Sequence, residues 1–327
     1  MPIGPGQFRL FLALCVCVSH LSRVNIGETA VCLFFMLSGY WVVRMYHEKY
    51  ANLQFPNATF LISRFLRIWL LYSVCTVVSI AAFAIILGRY NPSNWIALPL
   101  LGTATHGRDV LGISWSLDIE VQFYLTVPFL ASLLLSPGNT RNSVILVTAC
   151  ALTILGWFLA DNYGIDVLLA YIVLFLAGAL SYTSQLKPSG RAAIVSAIVF
   201  VLIGLLALQT PLAASFDRTQ ANPFNDRWFS VVWVLVLAPL VHWNVRQSSS
   251  PFDRKLGDLS YSIYLVHYPL YSIADHQLGG ANPVEKLALL AATIPIALIP
   301  YLLVDRPLDR RREALSKYIA RRLHRFG

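Results

Sequence analysis

His20 and Glu120 are the side chains of this sequence best suited to general-base chemistry. Each lies in a long apolar stretch, where an ionisable group is costly and is a functional hypothesis by default. A carboxylate that accepts from one imidazole nitrogen fixes the tautomer and leaves the other nitrogen free as a base. The same two residues can equally be plain hydrogen-bond partners between helices. Depth argues for a pair. The first stretch runs outward and carries His20 roughly 17 Å beyond Arg9, while the fourth runs inward and carries Glu120 about 7 Å below Trp115. Both therefore reach the outer half of a bilayer. Asp118 and His267 complete the ionisable groups at mid-span, and no Lys or Arg joins them, which argues against a voltage sensor.

Helical spacing sorts the neighbours. Ser116, Glu120 and Tyr124 recur at i, i+4 and i+8 and share one face, whereas Asp118 and Gln122 share another. The two carboxylates are thus not expected to point into one pocket; Asp118 is expected to face outer water or another helix. Tyr264 and His267 are i, i+3 neighbours. A basic pair, Arg64 and Arg67, sits at the expected cytoplasmic mouth of the third stretch, with Arg9 at the same depth on the first. Arginines at i and i+3 can grip phosphates through planar bidentate donors, and they also serve as positive-inside anchors.

The elements that must position these residues follow from composition. Of 327 residues, 57% are apolar or aromatic and 13% charged, about half the charge of a soluble protein. Mean hydropathy is +0.63. A disordered chain, an ordinary soluble enzyme and a soluble domain on one anchor are all excluded. The net charge of +9 reads as basic loops held at the cytoplasmic face, so no nucleic-acid partner is expected. Cys15, Cys17, Cys32, Cys75 and Cys150 lie in apolar runs and read as small buried hydrophobes, without metal or disulfide spacing. No small-x-small cleavage site follows the first run, which reads as an uncleaved span.

Ten segments are apolar enough to span, near 8–22, 29–45, 67–87, 115–135, 142–160, 165–182, 191–209, 228–244, 259–274 and 284–303. The loops 46–66 and 88–114 can hold short elements. The expected fold is all-α and polytopic, with about ten transmembrane helices in a single integral-membrane domain over 1–327. Placing the N-terminus inside puts 19 of the 25 Lys and Arg on the inner side, so both termini are expected in the cytoplasm.

Read together, the motifs resemble the membrane acyltransferase 3 family of bacterial envelopes. The first is a basic residue, ten others, then His: Arg9 to His20 in "RLFLALCVCVSH". The second is "LFFMLSGYWV", from Leu33. The third is the Arg-x-x-Arg of "RFLRIWLLY", Arg64 to Tyr72. "WSLDIEVQFYL", from Trp115, is similar to the fourth-span signature, "LGDLSYSIYLVHYPL", from Leu256, to the late His motif, and "VDRPLDRR" to the acidic-x-Pro ending. Asp118 departs from a small residue, and Asp305 stands where Glu is common.

The resemblance implies transfer of an acyl group, most often acetyl from acetyl-CoA, to a hydroxyl of a cell-surface polysaccharide or lipid-linked sugar at the bacterial cytoplasmic membrane. It assigns His20 and Glu120 to catalysis and Arg9, Arg64 and Arg67 to the acyl-CoA donor. Ser38, Ser116, Tyr124, Tyr264 and His267 become pocket candidates, and no metal is expected. Longer members carry an extracytoplasmic esterase-like domain; none is expected here, so activity would be completed in the membrane core. A transporter or flippase of lipid-linked sugars is the alternative, and so is a succinyl donor or a secreted small-molecule acceptor.

Overall fold

The computed structural model describes residues 3–135, 138–184, 187–219 and 226–326. Arg325, counted among the cytoplasmic charges, has a side chain outside the described ones. Thirteen α-helices occur among the described residues: α1 (Pro5–Leu21), α2 (Gly27–Met45), α3 (Pro56–Leu87), α4 (Thr103–His106), α5 (Ser114–Leu135), α6 (Asn139–Tyr163), α7 (Ile172–Thr183), α8 (Gly190–Ala207), α9 (Asp226–Leu235), α10 (Ala238–Asn244), α11 (Pro251–Leu278), α12 (Pro283–Pro300) and α13 (Arg306–Phe326). Among those residues extended pairing is limited to one isolated bridge, Val24 with Asp217. The fold is all-α.

All ten apolar segments fall on helices. Six are long and apolar enough to cross a membrane: Gly27–Tyr50, Pro56–Leu87, Ser114–Leu135, Thr140–Tyr163, Gly190–Ala207 and Pro283–Arg312. Pro5–Leu21 and Leu168–Thr183 are apolar but shorter. The expected segment 228–244 is not one continuous helix. Pro239 lacks an N–H and its ring conflicts with the carbonyl four residues back, at Leu235, where α9 ends. Large apolar side chains face outward along the long helices; Ile85, Phe129 and Val147 are 82%, 82% and 70% exposed. Apolar surface of that extent needs lipid rather than water. Cys17, Cys32 and Cys75 are buried as expected, but Cys150 is exposed on α6.

The chain divides into two compact units, one of 1–41 with 134–260 and the other of 42–133 with 261–327. In the first, α2 and α7 cross at backbone contact. A Cβ on Gly39 would lie 1.9 Å from the Phe175 carbonyl oxygen, and one on Gly178 equally close to that of Met36. Phe35 stacks on Phe175 beside this crossing, with centroids 4.8 Å apart. Gly39, which follows the pocket candidate Ser38, is therefore a packing contact.

In the second unit α3 packs along α13, and two π-helical turns abut the start of α3. The first, Tyr46–Tyr50, brings the Tyr50 hydroxyl to Ser63 Oγ at 2.8 Å. The other, Tyr301–Asp305, follows Pro300 and presents Asp305 to α3. Such turns insert one extra residue and redirect the side chains after it.

Candidate functional site

Three sequence-predicted residues belong to the first unit: Arg9, His20 and Ser38. Arg9 is half-buried on α1 against one face of α11. A Cβ on Gly257 would lie 2.2 Å from Arg9 Nη2, so a larger residue there would push the guanidinium aside. One turn earlier on that face, the Asp253 carboxylate accepts from the Gly6 amide at 3.0 Å and the Gln7 amide at 2.8 Å. These are orphan donors of the first turn of α1, so Asp253 acts as a cap supplied from a distant helix. Burial works to raise its carboxyl pKa; the bonds from Ser249, Gln7 and Gly6 and the Arg9 charge outweigh it and hold the group below its ordinary value.

His20 is half-buried at the other end of α1. The chain just beyond it is tied to the segment 215–218. The Asn25 amide donates to the Phe216 carbonyl and the Arg218 amide to that of Arg23. The Arg218 guanidinium also donates to the carbonyl of Ser19, the residue before His20, at 2.8 Å. Nothing in the sequence pairs residues 199 positions apart. Ser38 is half-buried on α2.

The second unit holds the remaining candidates. Tyr124 donates to Glu120 Oε1 at 2.6 Å, and Gln122 donates to Asp118 Oδ1 at 3.1 Å. The two faces expected from helical spacing are both present. Asp118 is fully buried, and its other oxygen accepts from the amides of Gly102 and Ala104. It pins the start of α4, so of the two expected surroundings it faces another helix and not outer water.

Ser116 Oγ donates to the Ile113 carbonyl at 2.9 Å, so the 2.8 Å contact with Tyr264 has the tyrosine hydroxyl as donor. His267, wholly buried, donates from Nδ1 to the Tyr264 carbonyl at 2.8 Å. A carbonyl only accepts, so Nδ1 carries the proton and Nε2 is the basic nitrogen. Ser116, Tyr264 and His267 thus form one polar chain joining α5 to α11.

Arg64 and Arg67 lie two to three turns inside α3, because the helix starts at Pro56, ahead of the apolar stretch. Hydropathy marks where a helix becomes apolar, not where it begins. Arg67 Nη1 donates to Asp305 at 2.9 Å and contacts Asp309 at 3.4 Å. Arg312 on α13 pairs with the same Asp309 at 2.6 Å. These four groups wall a cavity whose apolar lining includes Leu70 and Leu308. Arg64 is 7% exposed, and its Nε has no hydrogen-bond partner among the described residues. Phe60, one turn before it, packs edge-on to Tyr124 with centroids 6.5 Å apart. Within this unit the charges of Arg64 and Arg67 act on Tyr124, which bonds Glu120.

The structure thus brings together Arg64, Arg67, Tyr124 and Glu120, and separately Ser116, Tyr264 and His267. His20 and Arg9 belong to the other unit. The pairing of Asp305 with Arg67 and the place of Arg312 were missed by sequence reasoning; the acidic-x-Pro ending was the one available signal.

A family model described as an acyltransferase domain, acyltransferase 3, matches residues 5–303. The chain is 24% identical over 367 residues to the O-acetyltransferase OatA of Staphylococcus aureus (strain MRSA252), covering 99% of this chain and 60% of that protein. The chain thus spans about six-tenths of the length of that relative. It is 29% identical over 311 residues to the exopolysaccharide production protein ExoZ of Rhizobium meliloti (strain 1021), covering 89% of this chain and 92% of that one. No solved structure matches.

Proposed function

The chain belongs to the acyltransferase 3 family, and we propose that it works as a membrane O-acyltransferase, moving an acyl group, acetyl in the first instance, from acyl-CoA to a hydroxyl of a cell-surface polysaccharide or lipid-linked sugar. The observation that carries this reading is the gathering in one unit of Arg64 and Arg67, whose charges act on Tyr124, with Glu120, to which Tyr124 donates at 2.6 Å. It offers a phosphate grip and a carboxylate for acid–base chemistry. The name of the O-acetyltransferase OatA supports the chemistry, and that of the exopolysaccharide production protein ExoZ supports a polysaccharide acceptor. In this reading the chain sits in the bacterial cytoplasmic membrane, with both its ends on the cytoplasmic side.

In this mechanism Arg9, Arg64 and Arg67 hold the donor phosphates, and the narrow thioester arm extends inward. His20 takes the proton of the acceptor hydroxyl as its oxygen attacks the thioester carbonyl carbon. The carbon–sulfur bond breaks, and the thiolate leaves with the proton that His20 returns. The products are an ester and free CoA. Glu120 holds the imidazole in the productive tautomer and balances its transient charge; the depth argument from the sequence carries that pairing. Tyr124 in turn fixes the Glu120 carboxylate.

Purified protein given labelled acetyl-CoA tests the reading. Label should pass to an added glycan only when both substrates are present. Donor that is never consumed with any hydroxyl acceptor, while labelled glycan lipid crosses proteoliposomes, would replace it with the transporter reading.

A further inference from the structure

Three arginines gather where α3 faces α13, and Asp305 and Asp309 pair with two of them. Asp305 is fixed: its side chain is 7% exposed and bonded to Arg67 at 2.9 Å. Asp309 differs. Its side chain is 49% exposed, yet one oxygen touches both Arg312 Nη1, at 2.6 Å, and Arg67 Nη1, at 3.4 Å. An oxygen bridging two guanidiniums stands where an oxygen of a bound phosphate would stand. Arg64 adds a third guanidinium, buried and with its Nε unbonded among the described residues. The charges of Arg64 and Arg67 both act on Arg312. Beside them lies a cavity that Arg67, Asp305, Asp309 and Arg312 wall.

We propose that Arg312 of the C-terminal helix is a third phosphate-binding residue of the donor site, and that Asp309 holds its guanidinium in place until a phosphate takes over. The inference rests on the reading of Arg64 and Arg67 as donor-phosphate residues. Three features support it. A phosphate monoester carries nearly two charges against one for a carboxylate, so it competes well for guanidiniums already gathered. Asp309, half in solvent, can swing away at little cost, whereas Asp305 cannot. Arg312 itself is mostly enclosed, with 15% of its side chain exposed, so its donors aim at the cluster rather than into bulk water.

The sign of the Asp309 effect separates competition from support. The test uses the full chain in nanodiscs of zwitterionic phosphatidylcholine, with coenzyme A as the probe and calorimetry as the readout. Arg312→Ala should weaken binding about tenfold or more, as loss of a charge-assisted bond does. Arg312→Lys, which keeps the charge and loses the planar fork, should fall between and guards against misfolding of the alanine variant. Asp309→Asn should tighten binding several-fold, because the competing charge is gone. Arg312 variants that melt normally and bind within twofold of the parent, while Arg64→Ala weakens binding, would overturn this inference and leave the donor reading intact. No binding of coenzyme A by the parent protein would remove the donor reading itself. Weaker binding in Asp309→Asn would overturn the placeholder role. The same titration in phosphatidylglycerol nanodiscs decides the source of the phosphate. Competition by that lipid that vanishes in Arg312→Ala would give the arginine to headgroups and sink the proposal.

Discussion

Removing the carboxylate of Asp305 should loosen the junction of α3 and α13 and unseat Arg67. The pair is 2.9 Å apart, with 7% of the Asp305 and 19% of the Arg67 side chain exposed. At an effective dielectric of 20 the direct attraction is on the order of 6 kcal/mol, but desolvation of both groups cancels most of it. Breaking a fully buried pair from one side costs about 3–5 kcal/mol. Arg67 retains some solvent and a second contact at Asp309, so about 1–3 kcal/mol is expected for Asp305→Asn. Arg67→Ala should cost more, because it leaves the better-buried carboxylate without its cation. The assay is thermal unfolding in detergent of the parent, both single variants and Arg67→Ala/Asp305→Asn. The double variant should regain part of the loss, giving a coupling of about 1–2 kcal/mol. Additive losses, or an Asp305→Asn melt equal to the parent's, would refute the buried-pair reasoning.

The loop before α5 depends on Asp118, which accepts from two amides and Gln122. Asp118→Ala should cost about 2–4 kcal/mol and expose residues 98–108 to limited proteolysis, while Asp118→Asn should be milder. Asp253 makes a pH-dependent contribution. Its carboxyl is held below the ordinary value, so its stabilisation is full above about pH 4 and fades as pH falls through the lowered value. The gap in melting temperature between the parent and Asp253→Asn should thus be flat from pH 7 to 5 and close below pH 4. Gly39→Ala should lower stability by about 1–3 kcal/mol, since its Cβ would meet the Phe175 carbonyl at 1.9 Å; an unchanged melt would show that α2 and α7 can part freely.

Much of the helical framework was legible because membrane burial writes long apolar runs into a sequence. The i, i+4 logic on α5 was equally readable: Glu120 bonds Tyr124 and Asp118 bonds Gln122. Helix starts were less so. The polar first turns of α3 and α11 carry no apolar signal, yet Pro56 and Pro251 open both helices well before the expected 67 and 259. The split at Pro239 was legible in principle, since its ring cannot follow an unbroken turn. What no local pattern discloses is partnership across the chain. Asp253 caps a helix that begins 248 residues earlier, and Asp305 reaches Arg67 across 238 positions. Such pairs depend on how helices pack, and packing leaves no periodic trace in one sequence.

The central claim is that His20 and Glu120 act as one catalytic unit on an acyl-CoA-derived group. Initial acyl-transfer rates of purified, comparably stable His20→Ala, Glu120→Gln and double variants test it most directly. His20→Ala should abolish turnover, and Glu120→Gln, which keeps the shape but favours the wrong tautomer, should lower the rate by about 10²–10⁴. Residues that serve one step are non-additive, so the double variant should be hardly slower than His20→Ala alone. A Glu120→Gln enzyme working at close to the parent rate, or a double variant whose losses multiply, would contradict the account.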